Sequence, residues 1–582
     1  MIIDIKNIDG RKRIVIENIK PQIDNGQFPI KRVIGESVSV TADIFADGHN
    51  ILSAAVLYRH KSDNNWQQVP MRLIVNDEWA ASFQVTQTGY YYYTVCGWLD
   101  SDKSSMTQYL PEFPLYVNRT KALFSTWYEF FPRSFGNFKD CEKILPEIRK
   151  MGFDVVYLPP IHPIGETKRK GKNNSVLCCS GDLGSPWAIG SAHGGHKTVE
   201  PQLGTLDDFQ HFVLHAKELE MEVALDLAFQ CSPDHPYVKE HPQWFKWRPD
   251  NTIQFAENPP KKYEDIVPFN FETDDWQNLW LELKSIVMFW IQHGISIFRV
   301  DNPHTKPFAF WQWLLSEIKN EYPETIFLSE AFTRPKLMQR LAKIGFDQSY
   351  TYFTWRNTKY EIQQYLTELT QTETAEYMRP NFWPNTPDIL PQYLQFGSRA
   401  AFIIRLILAA TLSSNYGIYG PAYELCVSEA IYDKEEYLNA EKYELKKWDT
   451  NQKGNIKSVI ERINRCRNEN NALQFTRNVQ ILNIENDMII AFIKTTEDFS
   501  NIIVTAINID PYHKQVGTIN LPLEKFAMKE TSLYMLNDLL SSDKYIRQGR
   551  RIHIELDPNI MPAHIFKLQK LLKRENDFDY FM

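Results

Sequence analysis

Ser296-Ile-Phe-Arg-Val-Asp301 and Thr325-Ile-Phe-Leu-Ser-Glu330 are two runs of the same kind: a short stretch of mostly apolar residues that closes on a carboxylate. Between and before them lie longer stretches with helical spacing, Lys306 to Glu321 and Trp276 to His293. Working outward, the alternation recurs. Strand-like runs fall at 123–129, 153–158, 222–228, 295–300, 325–330, 348–353, 379–383 and 415–419. Short strands alternating with longer helices argue for βα units and a parallel sheet. Eight of them over about 300 residues predict a (β/α)₈ barrel. The sixth and seventh have the weakest pattern. Residues 162–204, between the second and third strands, are Gly-rich and polar and hold no clear long helix, so they read as an insertion over the barrel mouth.

The flanks are different. Before the barrel, Ser37-Val-Ser-Val-Thr-Ala-Asp43, Ser53-Ala-Ala-Val-Leu-Tyr58 and Tyr90-Tyr-Tyr-Tyr-Thr-Val95 alternate with turn-rich pieces, as in a β-sandwich. After it, Ile489-Ile-Ala-Phe-Ile493, Ile502-Ile-Val-Thr-Ala-Ile507 and the strictly alternating Ile552-His-Ile-Glu-Leu556 predict a second one. The expected organisation is an N-terminal Ig-like sandwich at 1–118, a catalytic barrel at 119–474 and a C-terminal sandwich at 475–582.

Of the 582 residues 43% are hydrophobic and 23% charged, the balance of a soluble globular protein. A net charge of −8 points away from nucleic acid and anionic membranes. No apolar run reaches the ~18 residues of a membrane helix, and Met1 to Arg13 is too polar for a signal peptide. Seven cysteines with no C-x-x-C pair suggest neither a disulfide framework nor a zinc site, and a cytoplasmic home is the expectation. The 15 Trp, 28 Tyr and 35 Phe would fill a large core, or offer flat faces on which pyranose rings stack.

Active sites of such barrels gather at the C-terminal ends of the strands. Asp301 ends the fourth strand, Glu330 ends the fifth, and Asp388 in Asn385-Thr-Pro-Asp388 follows the seventh. Cleaving an acetal needs one group to protonate the leaving oxygen and another to bond to, or stabilise, the anomeric carbon. Arg299 lies two residues before Asp301 and so shares its strand face, where a guanidinium favours the carboxylate. Glu330 follows an apolar run, which favours its proton. A single acidic residue at a strand end is commonly a turn or cap. Three on one rim, with an arginine beside the first, point to glycosyl chemistry.

Phe298-Arg-Val-Asp301, Leu328-Ser-Glu330 and Thr386-Pro-Asp388 resemble the nucleophile, acid/base and transition-state blocks of the α-amylase superfamily, and Leu225-Asp-Leu-Ala-Phe-Gln230 resembles its strand-three block. Gln230-Cys231 stands where typical amylases carry Asn-His, and Pro387 where they carry His. Those departures, with Arg169-Lys-Gly-Lys-Asn-Asn174, Glu257-Asn-Pro-Pro-Lys-Lys-Tyr263, Tyr350-Thr-Tyr-Phe-Thr-Trp-Arg-Asn357 and Pro384-Asn-Thr-Pro-Asp-Ile-Leu390, resemble the α-1,4-glucan:maltose-1-phosphate maltosyltransferases over about residues 11–567. The resemblance implies a maltosyl donor, α-maltose 1-phosphate, and an α-1,4-glucan or malto-oligosaccharide acceptor, with no metal or organic cofactor. It implies Asp301 as nucleophile, Glu330 as acid and base, and Asp388 as stabiliser. It maps donor contacts onto Lys170, Gln230, Asp265, Asn302 and the pair Lys442-Tyr443, with Asn258 and Tyr263 facing the phosphate. A phosphate leaving group calls for a cation and several donors, which these residue types supply. Many members carry a helical segment in the N-terminal domain that belongs to a homodimer interface. Here Gly97-Trp-Leu-Asp100 runs almost directly into Phe113-Pro-Leu-Tyr-Val117, which leaves dimerisation open.

Two other readings share these residues. An α-glucan hydrolase or isomerase would keep the trio and change the acceptor, and would not need Lys170. A non-catalytic glucan-binding protein would have no use for the trio at all.

Overall fold

Eight strands form one parallel sheet: β1 Ser125–Glu129, β2 Val155–Leu158, β3 Glu222–Leu227, β4 Ile297–Asp301, β5 Ile326–Glu330, β6 Gln348–Ser349, β7 Asn381–Phe382 and β8 Asn415–Tyr419. The computed structural model describes residues 12–100, 102–258 and 261–571. The strand order is β6-β5-β4-β3-β2-β1-β8-β7. A parallel bridge between Ser349 and Pro380 brings β6 to β7 and closes the ring. The eight expected strands are the eight observed. β6 and β7 have only two residues each, against expected runs of 348–353 and 379–383. Thr351 caps a 3₁₀ turn over Tyr352–Trp355 that ends β6 early. Pro380, with no N–H to donate, delays β7.

Alternation along the strands fills the barrel in layers. At the bottom Ser125, Gln348, Asn381 and Asn415 hydrogen-bond to one another: Ser125 Oγ donates to Asn415 Oδ1 (2.7 Å) and Asn381 Nδ2 to Gln348 Oε1 (2.9 Å). Above them Trp127, Val155, Ala224, Ile297, Ile326, Leu328 and Trp383 make an apolar middle. Gly417 is small because Trp383 needs the space: a Cβ there would stand 2.3 Å from the indole. The next inward positions, at the C-terminal ends of the strands, are Glu129, Tyr157, Asp226, Arg299, Asp301 and Glu330. The opposite strand faces, such as Phe298, Val300 and Phe327, pack against outer helices that include Trp276–Gln292 and Phe308–Glu321.

Before the barrel the chain forms two sheets. One runs Ile14–Lys20, Ser37–Ala46, Glu78–Gln84, Arg72–Val75. The other is built on the long strand Gly89–Leu99. Strand Asp102–Gln108 pairs with Gly89–Leu99 and leads into Phe113–Asn118 with no helix between. Buried polar contacts tie this unit to the barrel: Lys31 Nζ donates to Ala342 O (2.7 Å) and Asn118 Nδ2 to Asp347 Oδ1 (2.8 Å). After the barrel a six-stranded sheet packs on a two-stranded one around its own core of Ile489, Val504, Ile552 and Phe566. No helix among the described residues is long and apolar enough to cross a membrane.

Candidate active site

Register places the two central carboxylates side by side. β4 pairs with β5 so that Asp301 stands opposite Glu330. Neighbouring strands lie about 4.8 Å apart, close to the ~5 Å separation of a retaining carboxylate pair. Directly after Asp301, Asn302 takes left-handed φ/ψ of 44° and 52°, which Asn tolerates better than most residues. That turn ends the strand and aims the Asn302 N–H at Glu330 Oε2 (3.2 Å).

Arg299 reaches more groups than the spacing alone suggests. Its Nη1 donates to Asp301 Oδ1 (3.0 Å) and to Asp226 Oδ2 (2.9 Å), and its Nη2 lies 3.2 Å from Glu330 Oε1. The guanidinium sits between the rings of Tyr157 and Tyr350, 5.6 and 5.7 Å from their centroids. One cation thus serves three buried carboxyls. Burial pushes Glu330 up to about 8 and Asp226 up to about 7, although Arg299 pulls both down. Glu129, at the end of β1, is also pushed well up by burial, and its Oε2 has no partner. Lys306 backs the turn, donating to the carbonyls of Asp301 (3.4 Å) and Asn302 (3.3 Å).

A second group faces the same mouth. Lys442 Nζ contacts both oxygens of Asp388, at 2.9 and 3.1 Å, and lies 4.7 Å from the Trp187 ring centroid. Burial works against the Lys442 charge, but Asp388, Tyr443 and Tyr263 outweigh it and hold the pKa above the ordinary lysine value. Gln230 Nε2 donates to Trp187 O (3.4 Å), and Trp187 Nε1 to Asp226 Oδ2 (3.3 Å). Asp265 is buried, is pushed up by that burial, and feels the charges of Lys170 and Lys442. Asp388 raises Glu330, so the two groups share one field.

Asp301, Glu330, Arg299 and Asn302 therefore meet directly, as do Asp388 and Lys442. Gln230, Tyr443, Tyr263, Asp265 and Lys170 stand around them. The Asn258 side chain and the pair Pro259-Pro260 lie outside the described residues. Lys170 is buried and already carries a partner, the Glu264 carboxylate. Sequence reading did not single out Asp226, Glu264, Trp187, Lys306 or Glu129. Alternation along β3 and β1 was a usable signal for Asp226 and Glu129. Nothing local marks the other three.

His196, Cys231 and His235 offer ligand atoms within 4.8 Å of one another, the one such group among the described residues. The histidine protons are accounted for. Tyr237 N–H donates to His235 Nδ1 (3.1 Å), so His235 Nε2 carries the proton and donates to His196 Nδ1 (3.0 Å). His196 Nε2 in turn donates to Ala228 O (3.0 Å). Burial lowers both rings to about 3, which keeps them neutral. The group reads as packing behind Gln230.

Comparison with solved structures finds the same fold in an α-amylase and a cyclomaltodextrinase. An α-amylase from Lactobacillus plantarum superposes with a TM-score of 0.60 at 20% identity, over 77% of this chain and all of that one. A cyclomaltodextrinase gives 0.59 at 14% identity, over 95% of this chain and 99% of that one. Sequence comparison goes further. Residues 12–106 match the family model for α-1,4-glucan:maltose-1-phosphate maltosyltransferase, domain N/S, and residues 481–568 the model for GLGE, C-terminal. The α-1,4-glucan:maltose-1-phosphate maltosyltransferase of Chlorobaculum tepidum is 50% identical over 96% of this chain and 97% of its own. That of Methylacidiphilum infernorum is 48% identical over 97% of each, and that of Myxococcus xanthus 42% identical over 98% and 99%. The chain belongs to the α-1,4-glucan:maltose-1-phosphate maltosyltransferase family, and it is an enzyme. The Chlorobaculum alignment runs over 649 positions, longer than the 582 residues here, so that relative carries segments this chain lacks.

Proposed function

We propose that this enzyme transfers a maltosyl unit from α-maltose 1-phosphate to the non-reducing end of an α-1,4-glucan, with retention of configuration. The observation that carries the reading is that Asp301 and Glu330 stand at one register position with Arg299 between them, while burial keeps the proton on Glu330. Held by the guanidinium, an Asp301 oxygen attacks the anomeric carbon as the bond to the phosphate oxygen breaks. The product is a β-maltosyl ester of Asp301. Glu330, which holds its proton at neutral pH, gives it to the departing phosphate oxygen. In the second half the Glu330 carboxylate takes the proton of an acceptor 4-hydroxyl, whose oxygen attacks the same carbon and frees Asp301. Two inversions make a retention.

Asp388, steadied by Lys442, orients sugar hydroxyls and favours the oxocarbenium-like state. Lys170, Asn302 and Tyr263 supply charge and donors for the phosphate, and Asn258 is assigned the same task. Gln230, Asp265 and the Lys442-Tyr443 pair bind the sugars.

The test mixes purified enzyme with maltose 1-phosphate and a short malto-oligosaccharide, following phosphate by colorimetry and product lengths by mass spectrometry. Release matched by growth in steps of two glucoses supports the reading. Phosphate with free maltose and no elongation would make the protein a hydrolase. No release from folded protein would refute the donor.

A further inference from the structure

Arg133 follows β1 within a single 3₁₀ turn, Pro132–Ser134. Its guanidinium is sunk beneath the loops of the mouth, where burial pulls its pKa down to about 10. The terminal nitrogens of Arg133 donate to three backbone carbonyls: Nη1 to Gly184 O (3.0 Å), Nη2 to Glu441 O (2.9 Å) and Lys442 O (2.7 Å). Gly184 belongs to the insertion between β2 and β3. Glu441 and Lys442 belong to a loop after β8. The same two loops meet again at the mouth, where the Lys442 ammonium lies 4.7 Å from the centroid of Trp187, three residues beyond Gly184. Lys442 holds Asp388, and Trp187 donates to Asp226.

The insertion also meets the loop after β8 farther out, where Asn439 N–H donates to Asn173 Oδ1 (2.6 Å) and Asn173 Nδ2 to Asn439 Oδ1 (2.9 Å), but those bonds do not reach Trp187 or Lys442. A cavity of about 80 Å³, lined by Phe131, Pro160, Ile164, Leu183 and Pro186, lies beside Arg133. The Glu441 side chain does anchor its own loop, accepting from Tyr419 Oη and from Trp448 Nε1 (3.0 Å), but neither bond reaches the insertion. Charge-assisted bonds from one planar fork fix the direction of each carbonyl, which a lysine point charge does less well.

We propose that Arg133 is a positioning residue of the donor pocket: it ties the insertion to the Glu441–Tyr443 loop and so sets where Trp187 and Lys442 stand. It touches no substrate. Its effect passes through Lys442 and is felt as donor affinity. This rests on the transferase reading above.

The experiment measures phosphate release against maltose 1-phosphate concentration for wild type, Arg133→Ala, Arg133→Lys, Lys442→Ala and the Arg133→Ala/Lys442→Ala double variant. The expected result is a donor KM raised about tenfold or more in Arg133→Ala, with a smaller fall in kcat and partial recovery in Arg133→Lys. The double variant should be little worse than Lys442→Ala alone, because the two act as one unit. An unchanged donor KM overturns the proposal, and so do effects of Arg133 and Lys442 that simply multiply. If Arg133→Ala does not fold, the same cycle with Arg133→Lys decides. Wild type that releases no phosphate refutes the transferase reading itself, a result distinct from any of these.

Discussion

Replacing Glu330 by Gln should stabilise the protein at alkaline pH and do nothing of the kind at acid pH, while abolishing transfer. Burial raises the Glu330 carboxyl from an ordinary 4.5 to about 8. In the unfolded chain it ionises near 4.5, and in the folded protein only near 8. Below about 4.5 both states hold the proton and the group is neutral in the balance. As pH rises toward 8 the unfolded state releases a proton that the folded state keeps, so stability falls. Above 8 both are ionised and the loss is complete. At about 1.4 kcal/mol per unit, the difference is worth about 5 kcal/mol, trimmed to about 3–5 because Asp226 shares the same guanidinium. A glutamine at this position keeps the shape and cannot ionise. Thermal melting of wild type and Glu330→Gln at about pH 4.5 and about pH 9 should show a gap that widens by several degrees in favour of the variant at the higher pH. A gap equal at both pH values would mean that Glu330 does not hold its proton in the folded protein. The assignment of the acid role would then fail as well. The activity of the wild type follows the same group: the donor-cleavage rate should fall about tenfold per unit above about pH 8.

Asp301→Ala should lower phosphate release by about 10⁴-fold or more; a variant within tenfold of wild type would remove the covalent step. Lys170→Ala should raise the donor KM by about 10- to 100-fold, as loss of a buried charge-assisted bond of about 1.5–3 kcal/mol predicts. An unchanged KM would take Lys170 out of the phosphate site. Gly417→Ala forces a methyl group to within 2.3 Å of the Trp383 indole inside the barrel, and should cost about 1–3 kcal/mol. Chemical denaturation would show it, and a variant as stable as wild type would mean that Trp383 has another place to go.

Much of the barrel is legible without coordinates. Six of the strands have apolar runs long enough to recognise, and the helices Trp276–Gln292 and Phe308–Glu321 fall where helical spacing puts them. β6 and β7 are the weak pair because two residues of strand leave almost no period to read. Asp301 and Glu330 are legible as neighbours for a local reason: each ends an apolar run, and Arg299 lies on the same strand face as Asp301. The proposed donor contacts come from longer matching strings, not from spacing. Asp226 carries the right alternation but is easily overlooked beside Gln230.

Local order therefore determined what each strand is and which side chains face inward, because alternation is a property of the chain itself. It could not determine that Arg299 also serves Asp226 and Glu330, since that depends on the registers β3–β4 and β4–β5. Nor could it pair Lys442 with Asp388, 54 residues away, or Lys170 with Glu264, 94 residues away. Those pairs, like the Arg133 tie, join loops that meet only after the barrel has closed. The tertiary structure decides them because a loop's position comes from the strands it connects and the surfaces it packs on, and its own sequence specifies neither.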